Sequence, residues 1–299
     1  MAELVHVLSH RAPSAWRYAS PLALARHLGS HRDLVRQFTV REILGRYRGS
    51  HLGVAWSFLT PLLMLVVYTI VFGAIFRRSW SPLPGAPAQP APPGDAWAGH
   101  LEFALTVFCG LLVFNVFSEC VSKAPNLVVH QPNYVKKVVF PLEILPVVAL
   151  GSSLAHAVVG LGLLVAGLAL FQPSSFSLAM LWFPLVLAPL AMLCLGFGWI
   201  LASLGVFVRD IEHPVGVAVT MLFFLSAIFY SPHDIPESLR WLVWANPLAL
   251  VIEDARRTLL WGRPPDWELL AVSSAASAFL MQLGFVWFMK SRRWFSDVL

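Results

Sequence analysis

The sequence predicts an all-α integral membrane protein with six transmembrane helices, and three observations carry that expectation. Hydrophobic residues fill 58% of the 299 positions and charged residues only 12%, about half the charged share of a soluble globule. Several stretches of roughly twenty residues carry no charge at all, long enough to cross about 30 Å of hydrocarbon. The charge that remains is unevenly placed, with eight Arg in positions 1–55 against Glu3, Asp33 and Glu42, which makes a polar cap ahead of the apolar runs.

Positions 1–29 read as an N-terminal cytoplasmic tail. The first long apolar run begins near Val54, after Arg11, Arg17, Arg26, Arg32 and Arg36, so no secretory signal and no cleavage are expected. Residues 30–53 read as an interfacial amphipathic helix with a Leu-Gly loop. Ser30 and Asp33 stand at capping-box spacing. Val40, Ile43, Leu44 and Tyr47 form one apolar stripe while Leu34 and Phe38 project from another side, as suits a helix wedged between lipid and protein. Gly49 and Gly53 supply backbone freedom where the chain must turn into the membrane.

The rest, 54–299, reads as one transmembrane domain with spans near 56–76, 103–121, 142–171, 178–207, 214–230 and 268–289. The third and fourth are about thirty residues each, with Pro146, Pro184 and Pro189 expected to kink or tilt them. With the N-terminus inside, fifteen of the 21 Lys and Arg fall on the cytoplasmic side, so both termini are expected there, although Arg77 and Arg78 run against the trend. Six prolines between 81 and 100 mark an unpacked outer loop. Residues 231–262, between the fifth and sixth spans, read as a re-entrant helical hairpin. In it, Pro232 and Pro236 mark a turn, Asn246 caps a helix that Pro247 opens, and Gly262 stops it. Such a hairpin is tolerable only where protein or a water-filled cavity covers its backbone.

Catalysis has no visible home in this chain. None of the four lysines, Lys123, Lys136, Lys137 and Lys290, follows a glycine as a phosphate-binding loop requires, so this chain is not expected to hydrolyse ATP. Zinc-protease and serine-hydrolase signatures are missing, and Cys109, Cys120 and Cys194 lack metal-ligand spacing. Although the pI is about 9.4, the basic residues flank apolar segments, where they set orientation and touch lipid head groups rather than nucleic acid. Glu102, Glu119 and Glu143 sit at span ends, where solvated carboxylates are ordinary, with a functional site at membrane depth as the alternative. His156 fits a packed, hydrogen-bonded side chain or a proton relay. Glu253 and Arg257 stand at helical pairing distance, with Asp254 and Arg256 beside them. The aromatics Tyr68, Phe72, Phe76, Phe223, Phe229 and Tyr230 fit packing, or a passage in which rings stack on sugars.

Six segments together carry a family resemblance: RYRGSHLGVAWSFLTPLLMLVVYTIVFGAIF (46–76), VFCGLLVFNVFSECV (107–121), NYVKKVVFPLEILPVV (133–148), FVRDIEHP (207–214), FLSAIFYSPHDIP (224–236) and NPLALVIEDARR (246–257). From about residue 30 onward the chain resembles the permease subunit of ABC-2-type polysaccharide exporters, most of all the O-antigen lipopolysaccharide exporters. The resemblance implies a homodimer in the bacterial inner membrane, bound to two copies of a separate ABC ATPase that holds the ATP and Mg. It implies no cofactor on this chain itself, and a lipid-linked polysaccharide as substrate. It further implies coupling helices at Asn133, Tyr134, Lys136 and Lys137 and at Arg209, Asp210 and Glu212. A substrate entrance is expected at Leu52 and Gly53, with Arg46 and Arg48 facing the diphosphate of the lipid carrier. Permeases for capsule, teichoic acid, drugs or small lipids share this architecture, and a membrane-embedded lipid-carrier enzyme is a second alternative.

Overall fold

The computed structural model describes residues 20–46, 49, 51–71, 96–136, 140–232 and 235–299. Every regular element among them is helical. In chain order they begin with α1 (Pro21–Ser30), α2 (Arg32–Arg46), α3 (Trp56–Tyr68) and α4 (Ala96–Lys123). Two short helices, α5 (Asn126–Val129) and α6 (Pro132–Lys136), lead to α7 (Leu145–Phe171), α8 (Phe183–Phe207) and α9 (Glu212–Leu225). The chain then forms α10 (Arg240–Trp244), α11 (Pro247–Leu259), α12 (Trp267–Ser291) and α13 (Phe295–Val298).

Four helical stretches are long and apolar enough to cross a membrane, namely Leu101–Lys123, Leu142–Phe171, Leu178–Phe207 and Trp267–Val298. They match the second, third, fourth and sixth expected spans. Of the first expected span the apolar helix Trp56–Val71 is described and 72–76 lie outside the described residues, while the fifth is represented by the shorter helix α9. α9 has 14 residues, about 21 Å at 1.5 Å per residue, and ends well before Tyr230. The chain leaves the helix at Ser226 and Ala227, and Ala227 takes a left-handed φ of 52° that no continuing α-helix can contain.

The ends of α4, α8 and α12 and the starts of α7 and α9 gather at one end of the bundle, called here the base. α10, α11 and the starts of α8 and α12 form the opposite crown. α4 runs through the middle, with Phe103, Val107, Phe114, Phe117 and Val121 buried at successive turns, as befits a helix apolar all round. Lipid tails give little hydrophobic drive between helices, so close backbone approach matters instead. α8 and α12 meet through glycines: a Cβ on Gly284 would collide with the carbonyl oxygen of Gly196, and one on Gly196 would lie 2.9 Å from that of Leu280.

Several sequence expectations change here for identifiable reasons. Ser30 does not cap a helix; it ends α1, and its hydroxyl donates to the carbonyl of His27 at 2.7 Å. Ser20 is extended and Pro21 occupies the first turn of α1, so helix formation starts ten residues before the expected cap and breaks only at His31. Pro146 and Pro184 likewise occupy first turns, where a missing N–H is no loss, so they open α7 and α8 rather than breaking them. α8 continues through Pro189 to Phe207. The two apolar sets of α2 separate as their spacing requires: Leu34, Val35 and Phe38 pack on the core of the base, whereas Val40 and Leu44 stay 48% and 62% exposed.

At the crown the helix boundaries follow the sequence closely. The Asn246 side chain accepts the N–H of Leu248 at 3.0 Å, Pro247 opens α11, and Gly262 takes φ 61° just past its end.

Candidate functional site

The base presents two short exposed connectors. The first is α6, where Pro132 presets the opening φ, Asn133 and Lys136 face out, and Tyr134 turns inward. The Tyr134 ring stacks on Phe140 at 4.5 Å and meets Phe38 edge-on at 6.0 Å. Its hydroxyl accepts from both terminal nitrogens of Arg41 at 3.4 and 3.5 Å, and that guanidinium also lies 4.3 Å above the Phe38 ring. The second connector is a single tight turn, Arg209–Ile211, forced by extended Val208 and leading directly into α9. Arg209, Asp210 and Glu212 are exposed.

Asn126 joins the two connectors, donating from Nδ2 to Glu212 at 2.8 Å. Behind the first lies a groove of about 450 Å³ between α2 and the α4–α7 link, lined among others by Phe38, Arg41, Lys123, Asn126, His130 and Tyr134. Lys137 lies outside the described residues.

At the expected entrance, Leu52 is exposed and both glycines use left-handed backbone, φ 88° at Gly49 and 51° at Gly53. Arg46 is committed by one arm to Glu119 at 2.7 Å. Lys123 bridges Glu119 at 2.8 Å and Glu42 at 3.1 Å, so these four side chains form one ionic chain that pins α2 to α4. Arg48 lies outside the described residues.

The described passage candidates come together as one aromatic set within the chain. Phe229 meets Tyr68 at 6.4 Å and Phe223 at 5.1 Å, and Phe223 meets Phe114 at 5.1 Å. Tyr230 donates its hydroxyl to the carbonyl of Phe224 at 2.6 Å, locking the turn after α9. Phe72 and Phe76 lie outside the described residues. In α7, His156 Nδ1 sits 2.8 Å from the carbonyl of Ser152, one turn back. A carbonyl only accepts, so Nδ1 carries the proton in the arrangement seen.

Three acidic or basic side chains are buried among the described residues, Glu143, Arg256 and Asp254, which the sequence offered as a span-end acid and as members of a charged group that pairs within its own helix. Glu143, read as one of three span-end acids, is only 1% exposed, whereas Glu102 faces out and Glu119 is half-buried. One carboxylate oxygen of Glu143 accepts from His27 Nε2 at 2.5 Å and the other from Arg292 at 2.7 Å. Trp199, itself fully buried, donates its indole N–H to the Glu143 carbonyl at 2.9 Å. This knot at the base ties α1, the start of α7, α8 and the segment after α12.

The second charge is Arg256, fully buried at the crown. It donates to the carbonyls of Ala227 at 2.9 Å, Ile228 at 2.8 Å and Thr106 at 3.3 Å. Glu253, 3.5 Å away, balances the charge. The expected Glu253–Arg257 pair is therefore replaced, and Arg257 reaches Asp266 at 3.3 Å instead. Asp254 is buried beside them. Desolvation pushes its carboxyl up to about 6, against the lowering effect of the Asp266 N–H that it accepts at 2.8 Å. A signal for Arg256 was present: it shares one helical face with Ala249, Ile252, Leu259 and Leu260, all buried, and an arginine on an apolar face must find acceptors.

Residues 33–260 match the pattern of the family described as ABC-2 type transporter. The O-antigen export system permease protein RfbA of Myxococcus xanthus is 30% identical over 263 residues, 87% of this chain and 93% of that protein. A protein of the same name from Klebsiella pneumoniae is 24% identical over 279 residues, covering 93% and 99%. The polysialic acid transport protein KpsM of Escherichia coli is 25% identical over 234 residues, covering 76% and 81%.

Proposed function

Because the chain belongs to the ABC-2 type transporter family, we propose that it is the permease of an ATP-driven exporter of a lipid-linked polysaccharide of the O-antigen type. Its direction of transport is from the cytoplasmic to the outer side of a bacterial inner membrane. The observation that carries the mechanism is the pair of exposed connectors at the base, tied through Asn126 and Glu212. The names of the relatives supply the substrate class.

In this reading two copies of the chain form a homodimer, and two copies of a separate ATPase dock on the bases and hold the ATP and Mg. The first and fifth segments complete six crossings, both termini are cytoplasmic, and α10 with α11 forms the re-entrant hairpin at the outer mouth. The distribution of Lys and Arg favours this orientation. Closure of the ATPases presses on α6 and on the Arg209–Ile211 turn. α5 is seated against α8 so closely that a Cβ on Gly205 would collide with the carbonyl of Pro125. A push on the first connector therefore passes into α8, and a push on the second passes into α9.

The passage lies between the two copies, with Tyr68, Phe72, Phe76, Phe223, Phe229 and Tyr230 offering flat apolar faces to sugar rings. At the entrance beside Leu52 and Gly53, Arg48 and the remaining donors of Arg46 receive the diphosphate of the lipid carrier. Replacing Lys136 or Arg209 by Glu is expected to leave the chain folded and the ATPase active while surface polysaccharide falls. Undiminished export in both variants would overturn the coupling role.

A further inference from the structure

α9 is held at its two ends and, between them, along one narrow seam against α4, where Phe223 meets Phe114. Of its 14 residues only Val215 and Val219 are buried, one turn apart and on one stripe. At the base, Glu212 is bonded to Asn126. At the crown, the chain turns out of the helix at Ser226, and the turn is gripped from α11 at two points ten positions apart. Asn246 donates to the hydroxyl of Ser226 at 3.0 Å, and Arg256 takes the next two carbonyls, of Ala227 and Ile228. A rod fixed at both ends and touched along a single side transmits displacement chiefly along its axis, because little beside it absorbs the motion.

We propose that Arg256 is the positioning residue that makes α9 and the crown hairpin move as one body, so that displacement of α9 at the base is delivered to the hairpin. This rests on the coupling reading above. The planar guanidinium suits the task, since its two terminal nitrogens meet adjacent carbonyls of the turn at once, a geometry that the single ammonium of lysine cannot reproduce. Its third bond, to Thr106 of α4, is the longest of the three backbone contacts at 3.3 Å. That bond gives first when α9 and the hairpin shift against α4. Gly110 makes room for the arrangement, since a Cβ there would stand 2.9 Å from Nη2 of Arg256.

The test uses the full complex with the ATPase that co-purifies with this chain, carrying spin labels at Thr220→Cys on α9 and Ser238→Cys on the hairpin, both exposed. Distances are measured with and without ATP. With Arg256 intact, the label on α9 shifts against a reference label at Leu163→Cys in α7, and the Thr220–Ser238 distance stays constant. In Arg256→Lys, α9 still shifts but the Thr220–Ser238 distance changes with ATP. Basal ATP hydrolysis stays within about twofold, while the coupled conformation loses roughly tenfold in population, the worth of one charged hydrogen bond.

Ser226→Ala, which removes the Asn246 contact together with the hydroxyl's bond back to the Leu222 carbonyl, leaves Arg256 in place, shows the same uncoupling more weakly and serves if the lysine variant does not fold. A Thr220–Ser238 distance that ignores ATP in the folded variants overturns the proposal. A label on α9 that ignores ATP even with Arg256 intact overturns the coupling reading instead.

Discussion

The base and the crown each build a knot around a buried charge, and they hold it by opposite means. At the base the buried group is an anion, Glu143, and its partners are side chains: His27 and Arg292, about a quarter and a third exposed. At the crown the buried group is a cation, Arg256, and three backbone carbonyls accept from it. Carbonyl dipoles neither titrate nor attract counter-ions, whereas a partly exposed guanidinium does the latter. The base knot is therefore open to its surroundings, and the crown knot is closed to them. A coupling surface that must respond to a partner gains from the first arrangement, and a joint that must transmit motion without slack gains from the second.

The largest expected effect separates the two knots by deletion. Glu143→Ala leaves Arg292 with the Phe140 carbonyl but no carboxylate and removes the Glu143 acceptor of His27, and breaking a buried pair in this way costs about 3–5 kcal/mol. Thermal melting of the purified protein in detergent measures it, and a loss of less than about 1 kcal/mol would place Glu143 among ordinary surface pairs. Arg292→Gln keeps one donor near the carboxylate and is expected to lose about 1–2 kcal/mol. It should also abolish most of the salt dependence of melting between low salt and 1 M, where the Debye length shrinks to about 3 Å. Salt dependence that survives in Arg292→Gln but vanishes in Arg256→Lys would invert the comparison.

The smallest effect belongs to the crown. With its carboxyl raised from 3.8 to about 6 by burial, the native state favours protonated Asp254 more than the unfolded chain does. Its contribution to stability is present below about pH 4 and is lost as pH rises to about 6. Asp254→Asn should flatten that slope and raise the melting temperature at pH 7 by on the order of 2 °C. An unchanged pH profile would move the titration to another group.

Local chemistry made part of this legible in advance. Asn246, Pro247 and Gly262 fix the ends of α11 through their own backbone preferences, and of the small helices expected at Asn133–Lys137 and Arg209–Glu212 the first is α6, described as far as Lys136, and the second is the single turn Arg209–Ile211, with Glu212 already in α9. Pro21 was equally visible, but the helix it opens, PLALARHLGS, is too short and too loosely patterned to announce itself. The early end of α9 was not legible. The left-handed Ala227 is stabilised by an arginine 29 positions away, and nothing in the local run of apolar residues announces it. Glu143 was hidden for the same reason, since its partners lie 116 and 149 positions away, beyond any helical period or capping rule. Both knots are tertiary facts, and sequence periodicity records only which face is apolar.

The span of the base knot also has a consequence for how the protein is made. Residue 292 is synthesised 149 positions after residue 143, an interval of roughly 7–30 s at ordinary translation rates. Throughout that interval the carboxylate of Glu143 must stay at the membrane surface, hydrated or shielded by other factors, because only His27 of its two partners exists. α8 waits in the same way with its Gly196 face uncovered until α12 arrives to meet it. Insertion of this chain is therefore a process in which the third and fourth spans are held in an unfinished state, and a ribosome stalled between residues 207 and 267 should yield a protein that is inserted but open to surveillance proteases.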